Sequence, residues 1–278
     1  MKHLQNLHTH STYCDGNDTL EEMIQTCMAK GFTSLGFSGH SYMSFAEDHS
    51  MSLAGTEEYK EEVLKLKEKY KDTFPIFLGL EVEIFSGIDL SGYDYLIGST
   101  HYMDFNGQKV GFDRSADEVR RVINTYYGGD GMKYARDFYA NLSRLPEYGD
   151  FDIIGHFDLI TKHSEKEDFF DTTCNEYREY ALAAVEALAG KISYFEVNTG
   201  AMARGYRTTP YPEPFILKEL KRLGFKPIIS SDCHQREFVD FGFSQAAQML
   251  KDHGFTEHYV LTDKGFIAVP LEDYINHK

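Results

Sequence analysis

The chain has 278 residues, which is long enough for one large α/β domain with a substantial core. Its 44 acidic residues outnumber its 28 lysines and arginines, and the resulting formal charge of −16 argues against binding to a nucleic-acid backbone. No apolar run is long enough to span a membrane, and the N-terminus lacks the apolar core of a secretion signal. We therefore expect a cytoplasmic protein whose four cysteines, which show no zinc-finger or Cys-x-x-Cys spacing, are reduced thiols.

Strand-like apolar runs alternate with amphipathic helical stretches along the chain. The first helix is predicted to begin at Asp18, with Glu21 three residues later, and to end at Gly31. This alternation predicts right-handed βαβ units and a parallel sheet. Strands are predicted near residues 3–8, 33–38, 76–81, 94–100, 151–156, 193–198 and 225–231, with a weaker eighth region near 258–269. The other helices are predicted at 57–71, 115–127, 131–145, 172–189, 213–223 and 243–253.

No proline- or serine-rich linker, internal repeat or low-complexity tract divides the chain, so we expect a single domain over residues 1–278. Polar residues follow nearly every predicted strand. A closed or slightly irregular barrel brings all those strand ends to one face, including the ends of the first and seventh strands. An open, doubly wound sheet would keep the two edge strands apart, so the barrel is the preferred architecture.

Histidines and carboxylates stand at the carboxyl ends of the predicted strands. His8 and His10 alternate on an extended chain, so both imidazoles face the same side, and Asp232 and His234 repeat that spacing. A single His-x-His pair would be more ordinary as a surface feature, but the whole set favours a metal site. Imidazole and carboxylate without thiolate suit Zn, Fe or Mn. The candidate metal ligands are His8, His10, Asp15, His40, Glu81, His101, His156, Asp232 and His234.

Glu81 ends the most hydrophobic predicted strand, where an unpaired carboxylate would be costly. We prefer it to Glu83, which shares its face, as a carboxylate that bridges two metals. Cys14 and Cys233 adjoin candidate ligands and are expected to point away from the site. The remaining histidines lie in polar or helical surroundings and are predicted at the surface: His3, His49, His163, His253, His258 and His277.

Taken together, these residues resemble the PHP (polymerase and histidinol phosphatase) superfamily and, within it, the PHP-type histidinol-phosphate phosphatases. The resemblance spans the whole chain. It implies a distorted (β/α)7 barrel, similar to a TIM barrel, with a site for three divalent ions at the carboxyl ends of the strands. The segments that carry the resemblance are residues 7–16, 35–41, 79–83, 98–101, 155–159, 196–199 and 230–234.

The resemblance also implies how the ligands are shared among the ions. Glu81 would bridge the first and second ions, and Glu81 and Asp232 would be catalytic. Grouping the ligands this way uses each strand-end residue once and only the bridging carboxylate twice. The first ion would be held by His8, His10, Glu81 and Asp232, the second by Glu81, His101 and His156, and the third by Asp15, His40 and His234.

Such a site would hydrolyse a phosphomonoester by in-line attack of a hydroxide that bridges two ions. The family commonly places an arginine after the fifth-strand histidine, and here Lys162 takes that position, which provides a point charge without bidentate recognition. A second phosphate-binding arginine typically follows the sixth strand. Arg204 is the first candidate for it and Arg207 the second, although a solvated loop charge explains Arg207 equally well.

The predicted activity is hydrolysis of L-histidinol phosphate to L-histidinol and phosphate, a step of histidine biosynthesis. One alternative is a PHP phosphoesterase for another small phosphate, such as a sugar phosphate or nucleotide. A second is an amidohydrolase-type barrel, which usually carries a lysine at a middle strand end that is missing here. A third is a degenerate, non-enzymatic PHP module, which would be expected to lose ligands. The sequence leaves the native metal and the oligomeric state open.

Overall fold

The structure is a computed structural model that describes residues 3–46 and 48–277. Its strands are β1 (Gln5–Asn6), β2 (Ser34–Phe37), β3 (Ile76–Glu83), β4 (Tyr95–Ser99), β5 (Tyr102–Phe105), β6 (Gln108–Gly111), β7 (Ile153–Ile154), β8 (Tyr194–Asn198), β9 (Lys226–Ser230), β10 (Glu257–Thr262) and β11 (Gly265–Pro270). Seven of these strands form a parallel sheet at the centre, in the order β1-β2-β3-β4-β7-β8-β9.

The first and last strands of this sheet meet just beyond their carboxyl ends. Thr9 forms a parallel bridge with Cys233, and the His10 amide donates to the Cys233 carbonyl over 2.9 Å. The sheet is therefore closed into a barrel, which confirms the predicted (β/α)7 architecture and excludes the open sheet. The weak eighth region does not join the barrel, because β10 and β11 pair antiparallel with each other across a short turn.

The predicted helices cover the outside of the barrel with ends that differ by up to four residues from those expected, and two short helices, at residues 200–203 and 272–275, were not predicted. The first helix of the chain begins one residue later than expected: Thr19 is its N-cap and Glu22 completes the capping box, because Asp18 instead accepts a hydrogen bond from the Arg236 amide. The helices are α1 (Leu20–Ala29), α2 (Leu53–Tyr70), α3 (Ala116–Tyr127), α4 (Gly131–Leu142), α5 (Asn175–Leu188), α6 (Gly200–Ala203), α7 (Pro214–Arg222), α8 (Phe243–Asp252) and α9 (Glu272–Ile275).

The side chains inside the barrel are apolar in its lower half and polar in its upper half. Alternate residues of a strand share a face, so Phe77 and Glu81 of β3 both point inward. Phe77 belongs to an apolar cluster with residues of β4, β7, β9 and β10, such as Ile97, Ile153 and Ile228, that fills the lower half of the barrel. The upper half instead contains charged and imidazole side chains. Within the described residues, no helix has the length and apolar composition needed to cross a membrane.

Candidate metal centre

A cavity of about 810 Å³ opens at the carboxyl end of the barrel. Two of the nine predicted ligands, His8 and His10, lie beneath its floor and are fully buried. The other seven line it directly: Asp15, His40, Glu81, His101, His156, Asp232 and His234. The structure therefore brings every predicted ligand to one place, as expected for the strand ends of a parallel barrel.

The first group of donor atoms comes from β1, β3 and β9. His8 Nε2 lies 3.2 Å from Glu81 Oε2 and 3.6 Å from Asp232 Oδ1. His10 Nε2 lies 3.5 Å from Glu81 Oε2 and 3.1 Å from Asp232 Oδ1. Four donor atoms spaced in this way can face a single small cation, since ligands at about 2 Å from a tetrahedral ion stand somewhat more than 3 Å apart.

The second group lies around the other oxygen of Glu81. His156 Nε2 is 3.0 Å and His101 Nε2 is 3.3 Å from Glu81 Oε1, and the two imidazole nitrogens are 3.2 Å apart. Each Glu81 oxygen thus faces a different set of histidines. That is the arrangement a bridging carboxylate requires, and it favours Glu81 over Glu83 for that role.

The third group lies at the side of the cavity. Asp15 Oδ2 is 3.2 Å from His234 Nε2 and 3.6 Å from His40 Nε2. His40 also reaches toward the first group, because its Nδ1 lies 2.9 Å from Glu81 Oε2. Donor atoms of His10, Asp15, His40 and His234 all lie within 4.8 Å of one another, so these side chains could hold one ion.

Several of these donor atoms are buried without a hydrogen-bond partner. They include His8 Nε2, His10 Nε2, Asp15 Oδ1 and Glu81 Oε2. An unpaired buried polar atom costs about 1–3 kcal/mol, so a cluster of such atoms aimed at one another calls for a ligand. Neutral imidazole and carboxylate oxygen are the donors that divalent first-row metals accept. The residues present therefore fit a metal centre.

Two further carboxylates contact the imidazoles at the ring nitrogens that do not face the metal groups. Glu196 Oε1 lies 2.7 Å from His8 Nδ1, while its Oε2 accepts the His156 backbone amide over 2.9 Å. Glu83 Oε2 lies 3.2 Å from His101 Nδ1 and accepts the His101 amide over 2.7 Å. A carboxylate on one ring nitrogen places the proton there and directs the lone pair of the other nitrogen toward a metal. Neither role was predicted from the sequence.

The charges of the cluster shift the pKa values of its members. Burial acts to lower the pKa of His8, but the carboxylates of Glu196 and Glu81 outweigh it and raise that pKa to about 10. Burial acts in the opposite sense on Glu81, yet His8 and His40 hold its pKa well below the ordinary range. Burial and the nearby His10 lower the pKa of His234 to about 4. Protons and metal ions would therefore compete for the same imidazole nitrogens, with metal binding favoured as pH rises.

Two of the three predicted substrate-binding residues face the cavity, and one does not. Lys162 and Arg204 line it, and the Arg204 guanidinium donates to Asp232 Oδ2 over 3.0 Å. Arg207 points into the protein instead, where it donates to the hydroxyl of Thr161 and to Glu213. The prediction that Arg207 binds substrate is corrected: its charge is neutralised within the loop structure, and its side chain is only 2% exposed.

Other expectations also need correction. Cys14 was expected to point away, but a turn over residues 12–15 brings its Sγ to 3.5 Å from His10 Nδ1. His163 and His258 are not surface residues. His163 is buried where its Nε2 donates to the Asp113 carbonyl, and His258 is buried against the Tyr274 ring. Polar neighbours in the sequence did not reveal either packing contact.

The cavity wall contains residues that the sequence did not single out. Asp113 and Arg114 follow the β5–β6 hairpin, and Tyr206 follows α6. Lys162 Nζ donates to Asp113 Oδ2 over 2.9 Å and lies 5.3 Å from the centre of the Tyr206 ring. No strand-end pattern marks such positions, because they stand in loops whose course depends on tertiary contacts.

The sequence profile of the PHP domain matches residues 6–200, which include seven of the nine candidate ligands. The chain belongs to the PHP domain family. This assignment agrees with the closed barrel and with the order of the ligands along the chain, and it removes the amidohydrolase alternative.

Proteins named histidinol-phosphatase or probable histidinol-phosphatase resemble the chain over most of its length. It is 27% identical over 258 residues to a probable histidinol-phosphatase of Deinococcus radiodurans, covering 89% of this chain and 92% of the relative. It is 24% identical to the histidinol-phosphatase of Bacillus subtilis, covering 85% and 95% of the two chains. The crystal structure of histidinol phosphate phosphatase from Lactococcus lactis, complexed with zinc, L-histidinol and phosphate, matches with a TM-score of 0.70 at 21% identity, covering 95% and 98%. The structural match supports the fold.

Proposed function

We propose that this PHP protein is a metal-dependent phosphomonoesterase that hydrolyses L-histidinol phosphate to L-histidinol and phosphate, as a cytoplasmic enzyme of histidine biosynthesis. The observation that carries the proposal is the convergence of unpaired imidazole and carboxylate donors on one cavity that also holds Lys162 and Arg204. The choice of substrate is supported by the relatives from D. radiodurans and B. subtilis, whose names give that activity and which the chain matches nearly end to end.

The donor set suits three divalent ions, with Zn, Fe or Mn as candidates. Glu81, with an oxygen toward each of two groups of histidines, would bridge two of them. When bound, such ions supply an activated water near neutral pH and neutralise charge on the phosphoryl oxygens. The first ion would be held by His8, His10, Glu81 and Asp232, the second by Glu81, His101 and His156, and the third by Asp15, His40 and His234.

The chain's own side chains would position the substrate around that centre. Lys162 contributes a compact positive charge and Arg204 a planar guanidinium, and both suit phosphoryl oxygens. Arg204 donates to Asp232 and lies 3.1 Å from His234 Nδ1, so it stands at the edge of the metal groups. Glu83 and Glu196 hold His101 and His8 in place, which keeps the donor atoms directed at the cavity.

The proposal is tested by phosphate release from L-histidinol phosphate, measured beside p-nitrophenyl phosphate, sugar phosphates and nucleoside monophosphates. The protein is stripped with a chelator and reloaded separately with Zn, Mn or Fe(II). We expect the highest kcat/KM on histidinol phosphate and no turnover by the stripped protein. A preference for a sugar phosphate or nucleotide would keep the metal chemistry and reject the substrate, whereas turnover that survives metal removal would reject the proposal altogether.

A further inference from the structure

Among the described residues of the cavity wall, Asp113 is a charged group for which the proposed function gives no role. It lines the same cavity as His101 and His156 and pairs with Lys162, the residue to which we assign phosphate binding. We propose that Asp113 determines specificity by binding the ammonium group of an amino-alkyl phosphate while Lys162 binds its phosphoryl group. This inference rests on the proposed function and deepens it by naming the residue that recognises the amine.

The position of Asp113 is fixed by its neighbours. Phe112 is buried against the rings of Tyr134 and Phe138, with ring centres 6.0 and 5.5 Å away. The Asp113 carbonyl accepts a hydrogen bond from His163 Nε2 over 3.0 Å, which ties the two cavity-lining segments together. The carboxylate is therefore held on a supported segment, as recognition of a small charged group requires.

Other carboxylates of the cavity wall are less suited to this role. Asp48 is 62% exposed and pairs with Arg114 at the rim. Glu118 is 19% exposed, but its partner Arg121 is 66% exposed, so water reaches that ion pair. Asp113 and its partner Lys162 are 23% and 11% exposed. An ion pair that is shielded from water discriminates between charged ligands more strongly than an exposed one.

Charge balance would allow the Asp113–Lys162 pair to recognise a substrate that carries both a phosphate and an ammonium group. In the free protein Lys162 Nζ is neutralised by Asp113. A phosphate monoester that carries an ammonium two carbons from the ester oxygen can replace both contacts together. Lys162 then donates to a phosphoryl oxygen, and the ammonium donates to Asp113.

No charge is left without a partner in this exchange, and no covalent bond changes. A phosphate ester that lacks the amine would draw Lys162 away and leave the Asp113 carboxylate uncompensated. Partly buried, unpaired charge is costly, so Asp113 would reject such esters.

The test compares L-histidinol phosphate with its des-amino analogue, 3-(imidazol-4-yl)propyl phosphate, on metal-loaded enzyme. The readout is the ratio of the two kcat/KM values. We expect Asp113→Asn to lower this ratio about 10- to 100-fold, because the amine-bearing substrate loses its partner while the des-amino analogue no longer leaves a carboxylate uncompensated. Lys162→Met should slow both substrates by a similar factor and preserve the ratio, since both carry the phosphate. Glu118→Gln, a matched loss of charge on the same cavity wall, should leave the ratio unchanged.

An Asp113→Asn enzyme with the wild-type ratio, or with equal losses on the two substrates, would overturn the inference. Asp113→Glu keeps the charge and should retain a preference for the amine, which guards against a simple folding defect in the asparagine variant. Failure of the proposed function is seen separately, because the wild-type enzyme would then hydrolyse L-histidinol phosphate no faster than p-nitrophenyl phosphate.

Discussion

The two ends of the barrel differ in how their buried polar side chains are arranged. At the amino end, Gln5 has partners for its whole side chain: Nε2 donates to Ser34 Oγ and to the Leu261 carbonyl, and Oε1 accepts the Leu261 amide. The Tyr274 hydroxyl donates to the Gln5 carbonyl and accepts its amide. These bonds attach the β10–β11 hairpin and α9 to the bottom of the barrel.

At the carboxyl end, buried imidazole nitrogens and carboxylate oxygens face one another without hydrogen bonds. His8 Nε2, His10 Nε2 and Glu81 Oε2 are the clearest cases. Burial of a polar group is common to both ends and so does not identify a site. The distinguishing feature is a set of unpaired imidazole nitrogens and carboxylate oxygens that are all directed at one place. A cation bound there would satisfy them. Mutations at the two ends should therefore affect different properties.

The largest effect is expected from His101→Ala at the carboxyl end. Loss of a donor beside Glu81 Oε1 should reduce kcat/KM about a thousandfold or more while the protein stays folded. The measurement is phosphatase activity together with circular dichroism, with His3→Ala as a control histidine outside the cluster. Wild-type activity in the His101 variant would contradict the assigned centre.

A smaller effect is expected from mutating a carboxylate that holds a ligand histidine in place. Glu196→Gln keeps a hydrogen-bonding side chain beside His8 but removes the charge that orients it. Metal affinity should fall about 10- to 100-fold, as measured by competition with a chromogenic chelator. Glu186→Gln makes the same change on the exposed face of α5 and should have no effect. Equal affinities in the two variants would show that Glu196 does not support the centre.

At the amino end, a mutation should lower the stability of the protein and leave catalysis unchanged. Gln5→Ala leaves the Leu261 amide and carbonyl unpaired and should lower the free energy of unfolding by about 2 kcal/mol. Urea unfolding measures that loss, and kcat/KM is measured where both proteins are folded. Weakened catalysis with unchanged stability would break the proposed division between the two ends.

The effect that is smallest at neutral pH concerns His258, a buried residue at the amino end whose ring nitrogens both lack partners. Burial lowers its pKa from 6.5 to about 3. Between these values the unfolded chain binds more protons than the folded one, so stability falls as pH drops below 6.5. His258→Leu should reduce the pH dependence of unfolding by about one proton in this range. An unchanged slope in urea unfolding at several pH values would exclude this contribution.

The sequence predicted the features that depend on local pattern. The seven barrel strands were visible because runs such as 76–80 and 227–229 are apolar and lie between helical stretches. The donor residues could be located because parallel strands deliver their carboxyl ends to one face. The placement of Glu81 at the centre follows from the same geometry.

Features that depend on tertiary contacts were missed or misplaced. Nothing local shows that Arg207 turns inward to Glu213, since a loop can direct a side chain either way. The burial of His258 depends on where the hairpin docks, and its polar neighbours suggested the opposite. Asp113 lies on no strand end, so only the folded cavity brings it to Lys162.

The most direct test of a metal centre at the carboxyl end is the metal content of the purified protein, combined with anomalous diffraction from its crystals. We predict three divalent ions in each chain, located among the strand-end ligands on either side of Glu81. Protein that is active without bound metal, or ions bound only outside this cluster, would contradict it.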